Sequence, residues 1–255
     1  MFGGSLLRIY LAGEVAVERG DYLLREADLA SRQGRLALVY LVAERERAVT
    51  QAELAELLWP DSMPPSWPVA LSAVISKLRQ KLGTLGLDRD RIIANAFRCY
   101  QFRPPADAWI DLEAAADAVH EAEGAVLANR PGAAYGPALI ATTIARRPFL
   151  VGEDGPWVAT RRQRLRDLLL RALDCRVDSL LWNGELSLAL DQARASVELE
   201  PFRESGYKRL MLVLIKQGDR AEAVRVYNEC RRLLADELGV APSSEIESLR
   251  RSLAG

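Results

Sequence analysis

The chain has 255 residues, 49% hydrophobic and 27% charged, with 34 basic against 35 acidic side chains. That length suits about two domains, and those proportions exclude a disordered or fibrous protein. A formal charge of −1 gives no hint of a nucleic-acid partner.

The charge-free stretch Pro131–Ala145 is too short and too rich in glycine and proline to span a bilayer. The N-terminus lacks the basic lead and apolar core of a secretory signal. A soluble, cytoplasmic protein with no membrane partner is expected. Cys99, Cys175, Cys230 and the single histidine, His120, are scattered, which fits neither a zinc site nor a disulfide framework and suits a reducing compartment. His120 lies in a helical pattern, where a solvent-facing histidine is the plain reading and a catalytic base the sharper one. Glycine-rich phosphate loops and His-Glu-x-x-His are missing. No catalytic residue, metal or cofactor is expected, and the chain does not read as an enzyme.

In chain order, Leu6–Leu11, Glu14–Val17 and Tyr22–Leu29 read as short strands. From Ser31 to Ala43 the pattern is helical, through Leu36, Val39 and Tyr40. Thr50-Gln-Ala-Glu53, ahead of Leu54, Leu57 and Leu58, is a capping-box signature in which hydroxyl and carboxylate each satisfy an orphan amide. The proline-rich run Trp59–Pro68 predicts a stiff loop. A third helix follows, with Leu71, Ile75, Leu78 and Leu82 in one apolar stripe. Its opposite face carries Val69, Ala73, Ser76, Lys77 and Gln80, flanked by Ser72, Arg79 and Lys81, and Gly83 and Gly86 end it. Ile92–Ala94 and Cys99–Phe102 predict a hairpin around Asn95-Ala-Phe-Arg98.

Pro104-Pro105 marks a boundary between residues 1–106 and 107–255. Helical patterns then cover Leu112–Leu127, Ala133–Ala145, Trp157–Trp182, Leu186–Leu199, Glu204–Gln217, Arg220–Leu238 and Ser244–Leu253. Gly184 and Gly218 stand 34 residues apart, as do Ala189 and Ala223, and Leu180 and Leu214. That is the period of tetratricopeptide helix pairs; chance spacing in an Ala/Leu-rich run is the alternative. The expected fold is mixed and mainly α: an N-terminal α+β winged helix-turn-helix, then an all-α tetratricopeptide-like repeat domain.

In a winged helix the third helix enters the major groove and the hairpin lies on flanking backbone or minor groove. Ser66–Arg103 holds Lys77, Arg79, Lys81, Arg89, Arg91, Arg98 and Arg103 against Asp88 and Asp90, a net of +5. Charge is therefore segregated as a DNA-reading face requires, although cations at a helix end also favour its dipole. Arg79, Lys81, Arg89 and Arg91 are expected on phosphates, which sets affinity and register. Ser76, Lys77 and Gln80 are expected at base edges, with Val69 or Ala73 against thymine methyls and Arg98 at a phosphate or the minor groove. About four phosphate contacts predict a log–log salt slope near −4. Trp67, stiffened by its prolines, is either a partner contact or folded back on its own domain.

At these residues the chain resembles the SARP family, regulators that join an OmpR-type winged helix to a bacterial transcriptional activator domain. The resemblance rests on Leu6-Leu-Arg-Ile-Tyr-Leu-Ala-Gly13, Ala52-Glu-Leu-Ala-Glu-Leu-Leu-Trp-Pro-Asp61, Ile75-Ser-Lys-Leu-Arg-Gln-Lys-Leu-Gly83 and Asp111-Leu112. In the second half it rests on Arg147-Pro-Phe-Leu150, Trp157 with Arg161 and Leu165, Leu210-Met211, Gly218–Tyr227 and Leu233–Pro242. It implies an activator, associated with the nucleoid, that binds direct repeats near a promoter as a pair of protomers and recruits RNA polymerase. It also implies that Trp59 and the loop from Met63 to Trp67 lie near DNA backbone or polymerase. Thr50 and Ser72 complete the expected DNA-binding set, with Met63 and Trp67 as partner contacts. Larger relatives append sensor modules; ending at Gly255, this chain is expected to lack them. Two departures stand out. Ser72, Ala73 and Val74 are smaller than the family's usual readers. Phe97-Arg98-Cys99-Tyr100 replaces the wing pattern Gly-x-Gly-Tyr, which predicts a different turn, around Asn95. The competing reading is a tetratricopeptide-like interaction protein with a degenerate winged helix that binds a protein rather than DNA.

Overall fold

The computed structural model describes residues 5–29 and 31–253. In chain order it runs β1 (Leu7–Tyr10), β2 (Ala16–Arg19), β3 (Tyr22–Arg25), α1 (Arg32–Ala43), β4 (Val49–Thr50), α2 (Gln51–Leu58), α3 (Trp67–Gly83), α4 (Arg89–Ile92), β5 (Ile93–Ala96), β6 (Cys99–Phe102) and β7 (Trp109–Ile110). Helices follow: α5 (Asp111–Leu127), α6 (Tyr135–Ala145), α7 (Pro156–Asn183), α8 (Leu186–Leu199), α9 (Glu204–Gln217), α10 (Arg220–Leu233) and α11 (Ser244–Ser252). The chain forms two compact units. The first takes residues up to Ala114 together with Arg147–Gln163, and the second takes Ala115–Arg146 and Arg164 onward. The first unit is thus built from two separate stretches of the chain.

In the first unit a four-stranded sheet is ordered β3-β2-β1-β7. Ile9 pairs with Val17 across the antiparallel β1–β2 ladder, and β7 joins β1 in parallel. Two expected strands change extent: β2 lies two residues later, and β3 stops at Arg25, where Glu26–Asp28 form a 3-10 turn. Asp111 explains why a strand as short as β7 holds its place. Its fully buried carboxylate accepts from the amides of Leu11 (2.9 and 3.0 Å) and Ala12 (2.9 Å), ending the strand edge as a cap ends a helix. Burial holds its pKa above the ordinary value despite those bonds.

The segment 147–163 packs into the same unit. Gly13 donates to Pro148 O at 2.7 Å, Ala12 bridges Phe149, and Trp157 stacks on Tyr40 with ring centroids 4.7 Å apart. Glu153, buried, pairs with Arg32 and Arg35. Glu44, at the end of α1, accepts from Trp157 Nε1 at 3.0 Å and pairs with Arg161 and Arg47. Burial alone would raise the Glu44 pKa, but the bonds from Trp157, Arg161 and Arg47 outweigh it and hold the carboxyl below its ordinary value. A carboxylate whose folded pKa is depressed adds stability above its unfolded pKa and loses it as pH falls through the folded one. Glu44→Gln is therefore expected to flatten the acid limb of stability below about pH 4.5. Thermal midpoints measured across that limb check it, and an unchanged limb would refute the assignment.

The second unit carries the repeat. Gly184 and Gly218 both adopt left-handed φ, +79° and +86°, which suits glycine because no Cβ clashes there. Glu185 N donates to Leu180 O and Asp219 N to Leu214 O, each at 2.9 Å. Leu180 and Leu214 are buried, and so are Ala189 and Ala223, where small side chains let adjacent helices approach. The 34-residue spacing is thus a repeat of hydrogen bonds as well as of letters. Residues 234–238, expected as helix, open into a π-type turn that ends at left-handed Gly239. Among the described residues no helix is long and apolar enough to cross a membrane.

Candidate nucleic-acid interface

The interface is built on α1, α2 and α3. Ser31 caps α1, accepting from Gly34 N at 3.0 Å, and Leu36 to Val42 are buried. At α2 the Thr50 hydroxyl accepts from Glu53 N at 3.1 Å, forming half of the expected capping box. The other half is absent, because the Glu53 carboxylate binds Arg47 and Tyr40 Oη, and charge pairing outcompetes a neutral amide. Trp59 ends α2 and is half-buried. The proline-rich loop is shorter than its sequence suggests. α3 begins at Trp67, with Pro68 in its first turn, where an absent amide costs no helical bond. Trp67 is half-buried there, and Met63 is exposed.

Leu71, Ile75, Leu78 and Leu82 are all buried. The period of 3.6 then forces the opposite side outward: Ser72, Ala73, Ser76, Lys77 and Gln80 are exposed, and Val69 is 71% exposed. Lys81, on the flank, is half-buried. Arg79 does something else. Its guanidinium donates from Nε (3.1 Å) and Nη2 (2.6 Å) to Ile93 O, tying α3 to β5 instead of reaching outward. It positions the wing.

The wing is a three-stranded sheet ordered β4-β6-β5. β4 aligns Thr50 with Cys99, and the first amide of α2, Gln51 N, donates to Arg98 O at 2.9 Å. The α2 N-terminus and the wing tip are therefore joined, although 47 residues separate Gln51 from Arg98. The turn differs from expectation. Asn95 and Ala96 pair with Tyr100 and Cys99, leaving a two-residue turn of Phe97 and Arg98 with φ of +52° and +59°. Both are left-handed, the geometry that normally selects Asn-Gly and costs an L-residue roughly 1–2 kcal/mol. Replacing Phe97-Arg98 with Asn-Gly is expected to stabilise the first unit by about 1–2 kcal/mol. A urea midpoint that stays put or falls would contradict that.

Lys77, Lys81, Arg89 and Arg98 have no acidic side chain within ion-pair distance among the described residues. Arg91 lies 3.6 Å from Asp88 but is itself strongly exposed. Asp88 is occupied in capping α4, accepting from Asp90 N (3.0 Å) and Arg91 N (3.2 Å). The face therefore combines short polar side chains, unneutralised cations and a rigid hairpin. His120 is exposed on α5, and burial pushes the Cys175 and Cys230 thiols up to about 12. Among the described residues no group of three or more His, Cys, Asp or Glu side chains is placed to hold a metal. Sequence reasoning passed over Phe97, 98% exposed at the wing tip; its signal was the loss of the wing glycine.

Residues 110–254 match the family described as the bacterial transcriptional activator domain. The chain is 32% identical to Regulatory protein AfsR of Streptomyces coelicolor over 88% of its own length and 22% of that protein. It is 24% identical to Transcriptional regulatory protein EmbR of Mycobacterium tuberculosis over 86% of its length and 56% of that protein. The chain thus spans under a quarter of the Streptomyces relative and about half of the mycobacterial one. A solved structure of Mycobacterium tuberculosis EmbR in complex with a low affinity phosphopeptide superposes with a TM-score of 0.88 at 22% identity, covering 98% of this chain and 65% of that one. That likeness establishes the shared fold.

Proposed function

The chain belongs to the SARP family of transcriptional regulators, which carry the bacterial transcriptional activator domain, and we propose that it activates transcription by binding direct repeats beside a promoter. The observation that carries this reading is the outward face of α3, with Ser76, Lys77 and Gln80 exposed next to a wing tied to the α2 N-terminus. Ser76, Lys77 and Gln80 read base edges, and Lys81, Arg89, Arg91 and Arg98 hold phosphates. Arg98 takes the phosphate place first given to Arg79, so the salt slope stays near −4 at roughly 0.9 per contact. Residues 66–103 carry a net charge of +5, modest for tight binding alone. Two protomers therefore act together on the repeat, and the exposed Met63 with the neighbouring Trp67 supplies a contact for RNA polymerase. The site of action is the cytoplasmic nucleoid.

Selection of bound DNA from a random pool at moderate salt tests this. A short motif repeated in one orientation is expected. Recovery of no motif, together with capture of a protein partner by the helical unit, would replace the reading with that of an interaction protein.

A further inference from the structure

We propose that Phe97 is an apolar wedge that enters the DNA minor groove beside the α3 half-site and favours a deformable base step there. The proposal rests on the DNA-binding reading above and adds a specificity determinant to it. Phe97 is 98% exposed, so no part of the described chain covers it. Exposure of one aromatic is ordinary on a protein surface; here it coincides with a backbone conflict. Phe97 and Arg98 both hold left-handed φ in a turn where Asn and Gly are the relaxed choice. Local rules broken at two adjacent residues mark functional sites more than stable turns.

The turn is also held rigid. Ala96 pairs with Cys99, Cys99 Sγ lies 3.5 Å from Phe97 O, and Gln51 N holds Arg98 O. A wedge needs such backing, since prising base pairs apart costs a few kcal/mol per step. Arg98, beside it and without an acidic partner among the described residues, holds the phosphate that flanks that step. Phenylalanine is among the side chains that insert between base steps, and pyrimidine–purine steps such as TA open most easily. A wing in this position lies on flanking backbone and minor groove, so its tip meets such a step. Polymerase or a second protomer would also cover an exposed Phe, but neither accounts for a cation fixed beside it in the same tight turn.

The test uses the full chain and duplexes bearing one selected half-site, with a single TA step moved base pair by base pair through the flank. The wild type is expected to bind about 10-fold more tightly, and to bend the DNA more, when the TA step meets the wing. Phe97→Ala is expected to erase that preference and the added bend while leaving the salt slope and circular dichroism unchanged. Phe97→Leu, another wedge-forming side chain, is expected to restore most of both. If the wild type prefers no position of the TA step, or Phe97→Ala keeps the preference, the wedge is wrong although DNA binding stands. A loss seen on paired half-sites but not on a single one assigns Phe97 to a protomer contact and also overturns it. If the wild type binds no DNA at all, the functional reading fails and the wedge fails with it.

Discussion

A fragment ending at residue 106 is expected to lose cooperative folding, although it contains α1 to α4 and the whole wing. It lacks β7 and Asp111, so the amides of Leu11 and Ala12 lose their buried acceptor, at about 1–3 kcal/mol for each unsatisfied group. It also lacks Ile110, Phe149, Leu150 and Val158, all buried. Burial of such side chains contributes roughly 1.5–3 kcal/mol each, as an upper estimate. Arg35 and Arg32 lose the buried Glu153 carboxylate, and Tyr40 loses the Trp157 ring. The losses reach on the order of 10 kcal/mol, comparable with the whole stability of a typical domain, about 5–15 kcal/mol. Urea unfolding followed by circular dichroism decides the matter. A fragment unfolding cooperatively at the midpoint of the first unit in the full chain would show that residues 147–163 add nothing to it.

Replacing Lys81, Arg89 and Arg91 together with Gln is expected to weaken DNA binding about 100-fold at about 0.15 M salt, and to flatten the log–log salt slope from about −4 to about −1. Each phosphate contact releases roughly 0.9 counterion and is worth about fivefold at that salt concentration. Gln keeps the Arg89 stem, which packs beside Gly83, so the change reports charge more than packing. The losses should be equal for the selected motif and for random duplex, because phosphates carry no sequence information. Fluorescence anisotropy across a salt series measures both quantities. An unchanged slope would move the phosphate-binding face elsewhere on the chain.

Much of this face was legible in the letters. Leu71, Ile75, Leu78 and Leu82 determine which side of α3 is buried, and so which side is presented. The Thr50 cap and the glycines at 184 and 218 depend on neighbours within six residues, which a sequence displays directly. Arg79, bonded to Ile93 O, was hidden for the opposite reason. As a charge on the helix flank it resembles Lys81, and its carbonyl partner at Ile93 carries no mark of its own in the sequence. Glu53 followed the same course: the capping-box spacing was present, but Arg47 and Tyr40 competed for the carboxylate and won.

The wing shows both sides at once. Loss of the family glycines announced an altered turn, but Asn95, the residue best suited to left-handed φ, became part of β5. Strand register set the outcome. Pairing Asn95 with Tyr100 puts Tyr100 and Phe102 into the core, and a slip of one residue would turn both outward. That burial outweighs the strain at Phe97 and Arg98.

By itself the sequence determined the helical period, the caps, the 34-residue repeat, the segregation of charge behind a net of −1, and through them the winged-helix and repeat architecture. These are set by residues close together in the chain. Only the tertiary structure decided that Arg147–Gln163 completes the first unit, that Arg79 braces the wing and that Phe97 stands at its tip. Each depends on partners brought together by burial: Asp111 lies 100 residues from Leu11, and Arg161 lies 117 from Glu44. Contacts of that kind are chosen by packing the whole core at once, which no local spacing encodes.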